Sequence, residues 1–392
     1  MLISQRIGTA RPLATTAMHG RVEAMRADGQ PLIDFSIAIS HFSAPVAVRD
    51  RVHEALQGGP LPYTAVGGAL SLRARLADKV RLENQIDANA EDIIVTNGAK
   101  QALYEALYVL TDPGDSVIVF RPHWPAYVAT AELLHLKVLV VDLPEQVGEA
   151  FLDSLPSAKL IIINNPHNPT GRVLSRQDLR WLCAWMRQRH CHAIVDESYE
   201  KLIFNGAHVS LASCVDWRAL GVVTLYSASQ SHAMMGWRCG FAVAPAHVVQ
   251  AMETLQGPIT AAPSALTQVA LEAAFTSSDR DIMAQAMRDD YRARRDLVLD
   301  MVAPLSWMRM AAPASGPYLW GDVRALGTAA APFDAVAFAE RLLVERGVAI
   351  MPGDALGVPG FIRIGYISDD IATLRRGVAA LIEAGNAVAR GA

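Results

Sequence analysis

Apolar residues in this chain gather in short blocks, and between most of the blocks the spacing changes to that of a helix. The blocks lie at 116–120, 138–141, 160–164, 193–196 and 222–226. They are apolar at consecutive rather than alternate positions, which predicts strands covered on both faces. The stretches at 99–111 (AKQALYEALYVLT) and 177–189 (QDLRWLCAWMRQR) repeat apolar residues at spacings of three and four. Both are predicted amphipathic helices, the second with Ser175 placed to cap it. Doubly covered strands alternating with helices predict an α/β fold with a mostly parallel central sheet. Helical spacing dominates from about 247 to 302. Beyond it, short strands at 318–322, 348–351 and 361–366 mix with amphipathic helices, which predicts a smaller α+β domain. The segment at 325–332 (ALGTAAAP) reads as a surface loop, and no internal repeat or low-complexity linker is present.

Length and composition sharpen this picture only slightly. A chain of 392 residues is too long for one ordinary core and suits a large domain with a small one. Its 52% hydrophobic and 19% charged residues belong to a folded enzyme rather than a disordered chain. A net charge of -4 gives no electrostatic reason to expect nucleic acid or an anionic membrane as partner. Cys183, Cys191, Cys214 and Cys239 show no CxxC spacing and no completing histidine, so no metal site is expected. They read as buried thiols of a reducing compartment. The N-terminal MLISQRIGTARPLATT lacks the apolar centre of a signal peptide, and no apolar run approaches the roughly 18 residues of a membrane helix. A cytoplasmic protein is expected.

Candidate chemistry sits at the ends of the predicted strands, where open α/β sheets bind ligands. NNPHNPTG follows one strand at 164–171, Asp196 to Tyr199 follow the next, and SASQSHAMMGWRCG follows a third at 227–240. Each is ordinary by itself. A carboxylate at a strand end often caps a helix, NP and PTG are common turns, and serines with an arginine are common loop chemistry.

Together, and in this order, they carry a resemblance. YTAVGG (63–68), VTNGAKQAL (95–103), RPHWPAY (121–127), NNPHNPTG, VDESYE (195–200), GWRCGF (236–241), SGPYLW (315–320) and FIRIGY (361–366) resemble the class I/II aminotransferases of pyridoxal-phosphate fold type I. The likeness runs from Asp34 to about Leu381 and favours the aspartate-aminotransferase-like subgroup. It implies a large cofactor-binding domain at 48–285 and a small domain from 1–47 plus 286–392. It also implies a homodimer with shared active sites and an amino acid or 2-oxo acid as substrate. By the same likeness Asp196 pairs with the pyridine nitrogen of pyridoxal or pyridoxamine 5'-phosphate, Asn168 and Tyr199 bond its 3-hydroxyl, and Trp124 stacks on the ring. Gly98, Ala99 and Lys100 at a helix start, with Ser227, Ser229 and Arg238, are implied to hold the phosphate. Tyr63 is implied to reach the phosphate of the neighbouring subunit. Arg363 is implied to clamp the substrate α-carboxylate, with Asn168 and Ala38 beside it. Lys100 also matches a position that can take a second carboxylate.

The departures lie in the same site. The resemblance places the Schiff-base lysine at 230, where this chain has Gln230. An amide neither tethers the cofactor nor moves the α-proton, and acid–base catalysis alone is worth roughly 10²–10⁴-fold. Ordinary transamination is therefore expected to be impaired, with the cofactor held non-covalently. The usual G-E-P-D-F is here Ala38, Ile39, Ser40, His41 and Phe42; Met235 and His123 stand where threonine and tyrosine are common. Three readings stay open: a lysine replaced to trap a bound intermediate, a lysine-independent enzyme acting on an external aldimine, and a non-catalytic binding protein. For a replacement base the candidates are His41 and His232, since imidazole titrates near neutrality. His167 is given no role.

Overall fold

The computed structural model describes residues 7, 12–277, 280–368 and 370–391. Its strands are β1 (Ile33–Asp34), β2 (Ile93–Thr96), β3 (Ser116–Arg121), β4 (Lys137–Asp142), β5 (Leu160–Asn164), β6 (His192–Asp196) and β7 (Val222–Ser227). They continue as β8 (Gly240–Val243), β9 (Arg309–Met310), β10 (Tyr318–Asp322), β11 (Val348–Ala349), β12 (Met351–Pro352) and β13 (Phe361–Gly365). A seven-stranded sheet has the order β2-β8-β7-β6-β5-β3-β4. Within it β8 alone runs against its neighbours, β2 and β7. The fold is thus α/β, with a large mixed sheet that is mostly parallel and a smaller four-stranded antiparallel sheet, β12-β13-β10-β9.

The apolar blocks become β3 to β7 because both faces of this sheet are covered. Ile118, Ile161, Ile163 and Val195 belong to the core on one face, with Leu179, Leu182, Trp185 and Met186 of a helix at Arg176–Arg189. Val117, Val119, Ile162, Ile194 and Val223 belong to the other, with Leu103, Ala106 and Leu107. Each fully buried Leu, Ile or Val contributes about 1.5–3 kcal/mol against exposure. Ser175 does cap its helix: its Oγ accepts the Asp178 N–H at 3.1 Å while the Asp178 carboxylate accepts the Ser175 N–H at 2.9 Å.

Several sequence expectations need correction. The run at 138–141 is not covered on both faces, because β4 is the sheet edge and Val140 is 43% exposed. β2 and β8 escape the pattern, since four apolar residues cannot be told from a buried turn by spacing alone. The run at 348–351 divides at buried Ile350: β11 pairs in parallel with β1, and β12 pairs with β13. Cys183, Cys191 and Cys239 are buried, with burial pushing each thiol up to about 12, whereas Cys214 is only half-buried. Among the described residues no helix is long and apolar enough to cross a membrane.

The pairing of β1 with β11 has a positional consequence. It carries the chain on into Phe35, whose carbonyl accepts the Gly365 N–H at 2.8 Å, so the 34–37 segment lies beside the end of β13. The N-terminal helix α1 (Ala14–Ala27) precedes this strand. Residues from both ends of the sequence thereby reach the carboxyl edge of the large sheet.

Candidate active site

The parallel register aligns Asn164 with Asp196 and Asp196 with Leu225, so β5, β6 and β7 end side by side. A cavity of about 620 Å³ opens there, lined by Asn164, Asp196, Ser227 and residues of the loops that follow. Strand ends supply its floor because each strand must stop where the covering helices stop, leaving its terminal polar residue facing the gap.

Asp196 is buried, and its Oδ1 accepts the Ser198 N–H at 3.0 Å and Oγ–H at 2.6 Å. Its Oδ2 accepts the Tyr127 hydroxyl at 2.8 Å. Burial raises the Asp196 pKa above the usual carboxylate range, and these hydrogen bonds only partly offset it. Burial likewise holds the Tyr127 and Tyr199 phenols well above their ordinary value, so both remain neutral donors. The Tyr199 hydroxyl lies 3.5 Å from Asn168 Nδ2. Trp124 lines the wall, edge-on to Tyr127 at 5.4 Å between ring centres, with Lys100 Nζ 5.2 Å from its own. Burial, then the neighbouring Arg238, lowers the Lys100 pKa.

The opposite end is built for an anion. Helix α2 (Ala99–Leu110) starts after Gly98 with no side-chain cap on its free N–H groups, and Ala99 and Lys100 line the cavity. Gly98 has φ +81, and a Cβ there would sit 2.6 Å from Arg238 Nη2. Arg238 is anchored by the Met235 carbonyl at 3.0 Å, with Ser229 Oγ at 3.5 Å. Ser227, Ser229 and Gln230 complete this side of the lining. The Gln230 Oε1 is buried with no hydrogen-bond partner among the described residues.

Arg363 is 1% exposed and makes no ion pair with a carboxylate among the described residues. Its Nη1 donates to Asn168 Oδ1 at 3.2 Å and its Nη2 to the Ser36 carbonyl at 2.7 Å, while Nε has no acceptor. The guanidinium lies over the Tyr318 ring at 4.0 Å, behind two residues that line the cavity, Asn168 and Tyr318. A buried cation with an open donor is a site for an anion such as a carboxylate.

A family model described as aminotransferase class I and II matches residues 31–381. The chain belongs to that family. Aspartate/prephenate aminotransferase of Thermus thermophilus is 32% identical, covering 94% of this chain and 95% of its own length. Arginine–pyruvate transaminase of Pseudomonas aeruginosa is 32% identical over 89% of each. The solved structure of aspartate aminotransferase from Thermus thermophilus with maleate matches with a TM-score of 0.91 at 30% identity, covering 98% of this chain and all of that one. Aspartate-aminotransferase-like members of the family bind pyridoxal 5'-phosphate, and this chain is read as such an aminotransferase.

Against the sequence expectations for this aminotransferase, the structure brings Ala99, Lys100, Trp124, Asn168, Asp196, Tyr199, Ser227, Ser229, Gln230 and Arg238 to one cavity. Ala38 is buried and does not line it; Ile37 does. His41 is also not brought there, because its Nδ1 lies 2.9 Å from the Ile367 carbonyl and its Nε2 3.5 Å from Asp290. His232 is a core residue against Phe275, with its pKa pushed by burial down to about 3. His167 is held by Thr170 Oγ1 at 2.7 Å and is pushed by burial down to about 4. Tyr63 is 96% exposed in the single chain. Sequence reasoning missed Tyr127, Tyr318 and His19. Tyr127 had a signal, standing in RPHWPAY one helical turn after Trp124, whereas His19 had none.

Proposed function

We propose that this chain holds pyridoxal or pyridoxamine 5'-phosphate without a covalent tether and acts on an amino acid or 2-oxo acid. The observation that carries the reading is the cavity's complete set of complementary groups around an untethered Gln230. A carboxylate stands at one end, an uncapped helix start with serines and an arginine at the other, and an aromatic wall between them. The residues fit the group: the orphaned Gln230 Oε1 and the open Arg363 Nε are the buried polar atoms that such ligands would satisfy. When bound, the cofactor supplies an electron sink for a bond breaking at the substrate Cα.

The protein's part is binding and orientation. Asp196, steadied by Tyr127 and Ser198, keeps a proton on the ring nitrogen. Asn168 and Tyr199 donate to the ring hydroxyl, and Trp124 covers one ring face. The start of α2, with Ser227, Ser229 and Arg238, holds the phosphate. Arg363 receives the substrate carboxylate through its open Nε and so fixes which Cα bond faces the ring. Gln230 contributes volume and an amide but no amine. Two copies related by a two-fold axis are part of this proposal, and the almost full exposure of Tyr63 supports it.

The test is an absorbance titration with pyridoxal 5'-phosphate, repeated with amino acids. Saturable binding, an amino-acid-specific spectral shift, and no cofactor retained on the chain after borohydride reduction are expected. Gln230→Lys should then retain it covalently. Failure to bind would refute the reading, and binding without any shift across a broad amino-acid panel would favour a non-catalytic binding protein.

A further inference from the structure

With no lysine at 230, the proton that must leave the substrate Cα needs another acceptor in the cavity. Most of the titratable groups there are engaged. Asp196 and Tyr127 hold each other, Tyr199 stands at Asn168, and Arg238 sits at the helix start with Lys100 beside it on the anion side. His19 is different. It comes from α1, lines the cavity, and places its Nδ1 3.4 Å from Asp34 Oδ2, at the long end of hydrogen bonding. Asp34 is 4% exposed, and its other oxygen is fixed by the Ser36 N–H at 2.9 Å and Oγ–H at 2.6 Å. The carbonyl of the same Ser36 accepts Arg363 Nη2. One three-residue stretch therefore positions both a histidine and the carboxylate clamp, and the next residue, Ile37, lines the cavity between them in sequence.

We propose that His19, oriented by Asp34, is the group that takes and returns the substrate Cα proton in place of the missing lysine. The proposal rests on the reading given under Proposed function. A carboxylate accepting the Nδ1–H fixes the tautomer whose Nε2 carries the lone pair, and it stabilises the imidazolium that forms. The Cα–H bond breaks and the Nε2–H bond forms, while the electron pair stays with the substrate carbon and is withdrawn into the ring of pyridoxal 5'-phosphate. Asp34 offsets the new positive charge without being protonated. The same proton returns from Nε2 when product forms, so none is consumed. His19 side-chain exposure of 35% leaves the ring accessible from the cavity, and Asp34 at 6% keeps its own charge away from solvent.

Two measurements test this. In the protein without cofactor, ¹⁵N spectra of labelled histidine should show His19, assigned by its loss in His19→Asn, in the Nδ1–H form, and Asp34→Asn should abolish that preference. With pyridoxal 5'-phosphate bound, exchange of the amino-acid α-proton with ²H₂O should fall roughly 10²–10⁴-fold in His19→Asn. It should fall roughly 10–100-fold in Asp34→Asn, the effect of losing an orienting partner. Cofactor affinity, read from tryptophan fluorescence, should stay within about threefold in both, the allowance for losing no direct contact. Exchange in His19→Asn at the wild-type rate overturns the proposal, and loss in Lys100→Met instead would pass the role to Lys100. Loss of cofactor affinity in His19→Asn also overturns it, making His19 part of the binding cup. If the wild type binds cofactor but exchanges no amino-acid proton, the parent reading fails and takes this one with it.

Discussion

Glu105 offers a sharp test of how the anion end of the cavity is supported. It is 1% exposed on α2; its Oε1 accepts Gln101 Nε2 at 2.7 Å, and its Oε2 has no partner among the described residues. Burial pushes its pKa from 4.5 up to about 7, against the smaller pull of the Gln101 bond. The folded state therefore binds a proton that the unfolded state releases between these values. Stability from this group is fully present below pH 4.5 and is lost as pH rises toward 7. The whole rise is worth about 3 kcal/mol, and the part between about pH 5.5 and pH 8.5 about 2 kcal/mol. Glu105→Gln removes the titration while keeping the bond to Gln101. Its new amide N–H₂ lacks an acceptor, but that adds an offset independent of pH. Urea unfolding, followed by tryptophan fluorescence at one protein concentration, should show the variant gaining about 2 kcal/mol on the wild type across that window. A gap constant to about 0.5 kcal/mol at both pH values would refute the reasoning. The site should feel the change, because Gln101 Oε1 also holds the Asn97 N–H at 2.9 Å, and the Asn97 carbonyl accepts Arg238 at 3.3 Å.

Three further outcomes are expected. Arg363→Met should weaken a 2-oxo acid or amino-acid ligand roughly 10–150-fold by calorimetry, the value of charge-assisted bonds worth about 1.5–3 kcal/mol. Cofactor affinity should change far less. Lys79→Met should destabilise by about 3–5 kcal/mol in urea at neutral pH, since it leaves buried Glu200 without the ammonium it pairs with. Burial alone would raise the Glu200 pKa, yet Lys79 with Lys201, His208 and Asn84 pulls it down to about 2. The stability this confers is present above the ordinary carboxylate pKa and is lost as pH falls toward 2, a slope the variant should lack. Gly98→Ala should displace Arg238 from the helix start and strain a φ of +81, weakening inorganic phosphate and cofactor binding by fluorescence titration while the far-ultraviolet dichroism is kept.

The consecutive apolar runs, the helical spacings and the Ser175 cap were determined by the sequence alone, because they depend on local pattern and on burial of both sheet faces. So was the family, since its motifs stand in order along nearly the whole chain, and with it the absence of an amine at Gln230. The edge position of β4, the reversed β8 and the division around Ile350 were decided by tertiary structure, because neighbour order and direction are set by packing that no local run encodes. The same holds for the polar groups. His41 and His19 are both histidines near the N-terminus, and nothing in their flanking residues separates them. The pairing of β1 with β11 brings the 34–37 segment and α1 to the cavity, whereas the Ile367 carbonyl and Asp290 hold His41 aside. Which imidazole meets the substrate space is a matter of contacts between residues hundreds of positions apart, and only the folded chain supplies them.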